Sequence, residues 1–183
     1  MRPILAQHTA EEHMALGRWA TGHSSIVEIG VAEGVSALAF RQVMSADGTL
    51  FLIDPFHLSR MPTLNFTKWI AHRAVVSCDR GRVVWIEQFS SDAIRTWNNP
   101  IDLLLIDGDH TEEGVCRDWS EWSRFIVPGG IVIFHDARVF EGAWTSPDYG
   151  PVRFVNDFFR QQLIPDWKIV EEVHSLVVLK RLR

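Results

Sequence analysis

Short runs of apolar residues recur along the chain, and they constrain its fold more than any other feature. Polar residues do not alternate with the apolar ones inside these runs, which is typical of strands buried on both faces of a parallel sheet. Glycine or polar residues follow each run and stop the strand. We predict five such strands, at residues 25–30, 49–53, 82–86, 101–106 and 131–134.

Segments with helical spacing lie between the predicted strands. Alternation of strands and helices indicates an α/β fold, Rossmann-like and doubly wound, with a mostly parallel sheet and helices on both faces. Residues 167–173 and 175–182 are predicted to add a C-terminal antiparallel hairpin. The Pro-Gly-Gly sequence at 128–130 is expected to end a helix, and Pro151 to begin one. The predicted helices are residues 10–20, 34–44, the second half of 56–73, 90–97, 111–126 and 151–163.

Composition narrows the classes of protein to consider. The chain shows no linker or internal repeat, so residues 1–183 are predicted to form one domain with an N-terminal helical segment at 1–24. The net charge of −5 and the absence of basic runs argue against a nucleic-acid partner. The two cysteines lack metal-binding spacing, which favours a reduced, cytoplasmic setting. No apolar stretch has the length of a signal peptide core or a membrane span, so no membrane partner is expected.

Glycines follow the first predicted strand. Gly30 and Gly34 would let the backbone turn sharply and approach a ligand, although an ordinary strand–turn–helix also uses glycine here. The dinucleotide-binding pattern GxGxxG is not met, because residue 32 is alanine and Gly34 comes one residue late. Asp54 ends the second strand, where it could accept hydrogen bonds from ribose hydroxyls or simply form an Asp-Pro turn.

Four segments occur in an informative order: VEIGVAEGVSALAF, LFLIDPF, IDLLLIDGDHTEEGVCRDWSEW and VPGGIVIFHDA. They resemble the class I S-adenosylmethionine-dependent methyltransferases of the Methyltransferase 24 type, a small family containing the macrolide-sugar O-methyltransferases and often grouped with cephalosporin-hydroxylase-like proteins. The resemblance covers residues 25–137, and its D-G-D-H segment is more specific than the glycine loop. It implies that S-adenosylmethionine is the cofactor and that it contacts Glu28, Gly30, Gly34, Ser36, Asp54, Pro55, Phe56, Phe89, Ser90 and Asp107.

The resemblance also implies catalytic groups after the fourth and fifth strands. Methyl transfer from a sulfonium needs an aligned acceptor whose proton is removed. His110 matches the family's general base, and Asp107 and Asp136 match acids that position the acceptor or a divalent cation, Mg or Mn. Metal-dependent relatives have two adjacent acids where this chain has His135-Asp136. Histidine suits manganese, iron or zinc better than magnesium. Either the metal differs and His135 binds it, or His135 points away, or no metal binds.

The segment 136–150 lacks periodicity and lies at the edge of the expected site. It is predicted to be a lid whose Trp144 and Tyr149 close over an acceptor, or else a connector with its aromatic side chains packed on the domain. Asp109 is expected to form a local hydrogen bond or to cap the helix that begins near Thr111. Four further acids are expected to be solvated at helix starts and on the surface: Glu33, Asp92, Asp102 and Asp118.

Three functional hypotheses remain open at this point. The first is O-methylation of a small hydroxylated acceptor, such as a sugar or a natural product, by a protein that could form homo-oligomers. The second is a nicotinamide-dependent Rossmann oxidoreductase, against which the spacing of the glycines argues. The third is a non-catalytic S-adenosylmethionine-binding protein on the same fold. Cofactor binding separates the second hypothesis from the others, and turnover separates the first from the third.

Overall fold

The computed structural model describes residues 7–56, 65–162 and 164–183. Its sheet has seven strands in the order β3-β2-β1-β4-β5-β7-β6, and the final pairings, β5 with β7 and β7 with β6, are antiparallel. The mostly parallel sheet with a C-terminal hairpin is therefore confirmed. The strands are β1 Ser25–Ile29, β2 Thr49–Ile53, β3 Arg82–Ile86, β4 Ile101–Ile106, β5 Ile126–Phe134, β6 Trp167–Val173 and β7 Leu176–Arg181.

Helices cover both faces of the sheet. Each face has its own apolar core, and consecutive residues of β4 point to opposite cores: Leu104 packs in one, and Leu103 and Leu105 pack in the other. This explains why the strands are continuously apolar. None of the described helices is long and apolar enough to cross a membrane. The helices are α1 Ala10–Ala20, α2 Val35–Val43, α3 Phe66–Val76, α4 Ser90–Ala93, α5 Glu112–Trp122 and α6 Gly150–Val155.

The strand order reverses at β1, which pairs in parallel with β2 on one side and with β4 on the other. Ile29 at the end of β1 lies beside both Ile53 and Ile106, the last residues of those neighbours. Residues that follow these three strands therefore meet at one edge of the sheet. Ligands of open α/β sheets bind at such a reversal of strand order.

Two predicted helix boundaries are wrong. The helix expected at 111–126 ends as α5 at Trp122, and the Pro-Gly-Gly sequence lies inside β5 instead of breaking a helix. The pairing with β4 jumps from Ile126 to Ile131 across this sequence, so the prolyl and glycyl residues form an irregularity in the pairing, the kind of position where proline and glycine occur within sheets. The helix that contains Pro151 begins at Gly150, and after Val155 it widens to a π-helical turn.

The N-terminal helix is tied to the hairpin by one buried acid. Glu12 closes the capping box of α1, accepting a hydrogen bond from the Thr9 amide at 2.7 Å. Its second oxygen accepts from the amide and the hydroxyl of Ser175, at 2.7 and 2.6 Å. These bonds hold the start of α1 against the turn between β6 and β7, beside the edge where the strand ends meet.

Candidate active site

A cavity of about 700 Å³ lies at the carboxyl ends of β1, β2 and β4. Seven of the ten residues predicted to contact the cofactor line this cavity. These seven are Gly30, Asp54, Pro55, Phe56, Phe89, Ser90 and Asp107. The other three, Glu28, Gly34 and Ser36, are buried behind its wall.

Gly30 brings the ends of β1 and β4 into contact. Its φ is +86°, and a Cβ at this position would lie 2.1 Å from the backbone oxygen of Asp107. Behind this contact, the Ser36 hydroxyl donates a hydrogen bond to the Glu28 carboxyl group at 2.5 Å. Burial raises the pKa of Glu28 well above its usual value. Glu28 therefore supports the loop from below, and its direct contact with a cofactor stays a prediction.

The Asp54 carboxylate organises the cavity wall. One oxygen accepts from the amides of Val31 and Ala32 at 2.9 and 3.2 Å, and the other accepts from the Phe56 amide at 2.7 Å. Ala32 and Phe56 both have positive φ, 45° and 50°, so these bonds hold a strained loop. An ionised carboxylate has about four acceptor positions. Three amides leave one position for a ligand hydroxyl.

Asp118 lines the same cavity, although the sequence analysis placed it on the surface. It is only 2% exposed, and its carboxyl group accepts a hydrogen bond from Ser90 Oγ at 2.5 Å. The helical spacing contained the signal, because Asp118 shares a face of α5 with the buried Val115, Trp119 and Trp122. The surface assignment of Glu33 is wrong as well, since this residue is 8% exposed and lines the cavity.

A second cavity, of about 460 Å³, adjoins the first. Gln7, Asp107 and His110 line both cavities. The segment 136–150 contributes Trp144 and Tyr149 to the second cavity, and the start of the N-terminal segment contributes His8 and Thr9. The N-terminal segment was expected to pack beside the site, but the sequence did not single out Gln7, His8 or Thr9, because their contribution depends on how α1 packs against the hairpin.

Both ring nitrogens of His110 have partners. Nε2 lies 3.3 Å from Asp107 Oδ1, and Nδ1 lies 2.7 Å from the Tyr149 hydroxyl. The hydrogen bond with Asp107 raises the pKa of His110. Burial, together with the nearby Asp136 and Asp107, raises the pKa of Tyr149, so its hydroxyl keeps its proton. A proton on Nε2 facing the carboxylate leaves the lone pair on Nδ1, pointing at the Tyr149 hydroxyl.

His135 and Asp136 lie beside this pair. Asp136 has a φ of +54°, is 4% exposed, and accepts a hydrogen bond from Trp144 Nε1 at 2.8 Å. His135 Nδ1 lies 3.3 Å from Asp107 Oδ1 and 3.1 Å from Asp136 Oδ1, without the angle of a hydrogen bond. Burial opposes charge on His135, but the two carboxylates outweigh it and raise its pKa to about 11. Burial alone would raise the pKa of Asp107, but His135 and His110 lower it to about 2.

A cation would find three donors here. Asp107, His110 and Asp136 each present a ligand atom, and these atoms lie within 4.8 Å of one another. The donors of this group are two carboxylates and an imidazole, which suit manganese, iron or zinc better than magnesium. The geometry therefore places His110 beside Asp107 and Asp136 as a possible ligand, where Asp107, Asp136 and His135 were predicted.

Asp109 forms the local hydrogen bond that was one of its two predicted roles. Its Oδ1 accepts from the Thr111 amide at 2.9 Å, whereas the residue that caps α5 is Thr111.

Comparison with known proteins gives a family match. A family model described as a methyltransferase domain, Methyltransferase 24, matches residues 27–137, more than half of the chain. An uncharacterised protein, R132, of Acanthamoeba polyphaga mimivirus is 29% identical over 133 residues, which are 68% of this chain and 55% of that protein. The chain thus spans little more than half the length of this relative.

Solved structures share the fold at low sequence identity. The O-methyltransferase TomG from Streptomyces achromogenes, involved in tomaymycin synthesis and solved in complex with S-adenosylmethionine, is 18% identical with a TM-score of 0.70. That likeness covers 99% of this chain and 83% of TomG. Rv0187 from MTB, solved with its cofactor bound, is also 18% identical, with a TM-score of 0.71 over 99% of this chain and 83% of Rv0187.

Proposed function

Because the chain belongs to the Methyltransferase 24 family of class I S-adenosylmethionine-dependent methyltransferases, we propose that it transfers the donor's methyl group to a hydroxyl of a small molecule. Membership of this family contradicts the hypothesis that the protein is a nicotinamide-dependent oxidoreductase. A small acceptor, rather than a nucleic acid, fits the net charge of −5. Both cysteines are free, which fits a reducing compartment such as the cytoplasm.

One observation carries this proposal: the two cavities meet at Asp107 and His110. Transfer of a methyl group needs a donor site and an acceptor site that share a boundary, with a proton acceptor at that boundary. The larger cavity would hold the donor, with its amino-acid end beside Gly30 and a ribose hydroxyl on the remaining acceptor position of Asp54. The smaller cavity would hold the acceptor under Trp144.

His110 is the proposed base. Asp107 on Nε2 orients the ring and stabilises its protonated form, as a carboxylate does for the histidine of a hydrolase triad. The acceptor hydroxyl gives its proton to Nδ1, where the Tyr149 hydroxyl lies in the absence of acceptor. The acceptor oxygen then forms a bond to the methyl carbon. The bond between carbon and sulfur breaks, its electrons return to the sulfur, and S-adenosylhomocysteine is released.

A divalent cation is the alternative use of the same residues. Asp107, His110 and Asp136 would hold it, and when bound it would lower the pKa of the acceptor hydroxyl and fix its position. Nε2 is the nitrogen of His110 that faces both carboxylates, at 3.3 Å from Asp107 and 4.0 Å from Asp136. If His110 held a cation through this nitrogen, Nδ1 would carry the proton and donate it to Tyr149. A histidine in that state has no lone pair for a substrate proton. The base role and the ligand role of His110 therefore exclude each other.

Calorimetric titration of S-adenosylhomocysteine tests the donor site, first with chelator and then with Mg²⁺ or Mn²⁺ added. A panel of sugars and phenols, assayed by formation of S-adenosylhomocysteine, tests turnover. We expect wild type to bind the product and His110→Ala still to bind it, with a loss of affinity much smaller than its loss of turnover. The variant's turnover should fall about 100-fold or more, since a positioned base contributes at least that factor. His23→Ala, which removes a histidine outside both cavities, is the matched control.

Each result bears on a different part of the proposal. Absence of binding would overturn the donor site. Binding without turnover on any acceptor would favour a non-catalytic protein. Retained turnover in His110→Ala would overturn the base role. Turnover that chelator abolishes and Mn²⁺ restores would assign His110 to the cation instead.

A further inference from the structure

The smaller cavity already contains a hydroxyl group of the protein on the nitrogen that an acceptor has to reach. Tyr149 lines this cavity, and its hydroxyl lies 2.7 Å from Nδ1 of His110. Nε2 of the same ring faces Asp107 at 3.3 Å, so Nδ1 is the nitrogen left to receive a proton. A neutral imidazole has one nitrogen that accepts a hydrogen bond. The hydroxyl of Tyr149 and that of an acceptor therefore compete for one position.

The backbone that carries Tyr149 is fixed to the residue that its side chain covers. A Cβ at Gly150 would lie 2.4 Å from the backbone oxygen of His110, so the chain passes here in direct contact with the start of α5. The Tyr149 amide donates to the Ser146 carbonyl at 3.0 Å, and the Tyr149 carbonyl accepts from the Arg153 amide at 2.9 Å. Because the backbone is held on both sides, the hydroxyl can leave Nδ1 only if the side chain rotates. The ring is only partly buried.

A second side chain of the segment 136–150 covers the neighbouring acid. Trp144 Nε1 donates to Asp136 at 2.8 Å, and the other oxygen of Asp136 lies 4.0 Å from His110 Nε2. The segment thus supplies one hydrogen-bond donor to the base and another to the carboxylate beside it. Both bonds form within the protein and need no ligand.

We propose that Tyr149 is a gate on the base. Its hydroxyl occupies Nδ1 of His110 in the absence of acceptor, and the side chain has to rotate away before an acceptor hydroxyl can bind there. This inference rests on the proposed function. The acceptor gains its hydrogen bond to Nδ1 only by displacing that of Tyr149, so the gate weakens acceptor binding. It leaves the chemical step nearly unaffected, because the displaced hydroxyl no longer touches the base.

The variant Tyr149→Phe tests the gate, because it keeps the ring and removes only the hydroxyl. An acceptor from the panel of sugars and phenols is assayed at saturating S-adenosylmethionine. We expect KM for the acceptor to fall by about 2- to 10-fold, the effect of one neutral hydrogen bond. The change in kcat should be much smaller. Trp144→Phe is the matched control, since it removes the segment's other hydrogen bond and should not lower KM.

A measurement without acceptor tests whether Tyr149 covers Nδ1. Diethyl pyrocarbonate acylates unprotonated imidazole nitrogens, and mass spectrometry of the peptides reports each histidine separately. His110 should react several-fold faster in Tyr149→Phe than in wild type. His23, which lies outside both cavities, should react equally in the two proteins and serves as the internal reference.

The split between KM and kcat separates a gate from a group that assists the reaction. A fall in kcat with unchanged KM would assign Tyr149 to the positioning of His110 and overturn the gate. Unchanged KM, or equal reactivity of His110 in the two proteins, would overturn it as well.

Should Tyr149→Phe not fold, wild type decides. Tyr149 is the only tyrosine of the sequence, so protein made with ¹³C-labelled tyrosine gives unambiguous ring signals in an NMR spectrum. A saturating acceptor should shift these signals, and unshifted signals contradict the gate. A wild type that methylates no acceptor contradicts the proposed function instead, while the reactivity of His110 still tests whether Tyr149 covers the base.

Discussion

Substituting Gly30 by alanine should damage the site through a contact that can be measured. The backbone of Gly30 has a φ of +86°, and a Cβ would lie 2.1 Å from the Asp107 oxygen and 2.9 Å from Gly108 Cα. Those atoms belong to backbone and cannot rotate away. Ordinary contact begins at about 3.4 Å, so β1 and β4 would have to separate by about 1 Å or more.

The expected cost has two parts. A left-handed conformation costs alanine about 1–2 kcal/mol, and overpacking between the strand ends adds about 1–3 kcal/mol. Gly129 provides the control, because its φ is +82° and none of the described atoms lies within 4 Å of its hypothetical Cβ. We therefore expect Gly129→Ala to lower the free energy of unfolding only by the cost of the left-handed conformation, about 1–2 kcal/mol. Gly30→Ala should lower it by both costs, about 2–5 kcal/mol in total.

Urea unfolding of both variants measures these losses, and calorimetry with S-adenosylhomocysteine measures the effect on the site. Gly30→Ala displaces Asp107, so its affinity should fall by on the order of tenfold or more, while Gly129→Ala should bind as wild type does. Equal losses of stability in the two variants would show that the close approach of the strand ends costs nothing. Unchanged affinity in Gly30→Ala would remove Gly30 from the donor site.

Two further predictions concern buried acids. In the folded protein both oxygens of Glu12 accept from N–H groups, those of Thr9 and Ser175. Glu12→Gln replaces one oxygen by an NH2 group that cannot accept, so the free energy of unfolding in urea should fall by about 2 kcal/mol. An unchanged midpoint would mean that the capping box and the hairpin contact contribute nothing. The folded protein keeps the Asp118 proton up to a pKa of about 6, above the ordinary 3.8, because of burial. Folding therefore binds a proton between these values, and stability should fall as pH rises from about 4 to 6, by at most about 3 kcal/mol. Asp118→Asn should flatten this decline in a series of unfolding curves, and an identical decline in that variant would place its origin elsewhere.

The pattern of apolar runs determined the sheet and its functional edge. A strand buried on both faces must be continuously apolar, and its end must carry whatever polar group the site uses, so Asp54 and Asp107 could be placed from local sequence alone. The Pro-Gly-Gly sequence misled because its local preference for a turn competes with pairing to β4. The three residues lie inside β5 as an irregularity in its pairing with β4, and the neighbouring sequence does not predict this pairing.

Only the tertiary structure decided which polar groups touch. The hydrogen bond of Tyr149 to His110 joins residues 39 positions apart, and that of Ser90 to Asp118 joins residues 28 apart. That His110 presents a possible cation ligand beside Asp107 and Asp136 likewise depends on the direction of side chains at two strand ends, and the binding of a cation by His135 stays a prediction. The spacing of buried apolar residues along the chain differs between strands and helices, so these elements can be predicted from the sequence. Side-chain contacts between elements depend on how those elements pack, so a single sequence does not display them.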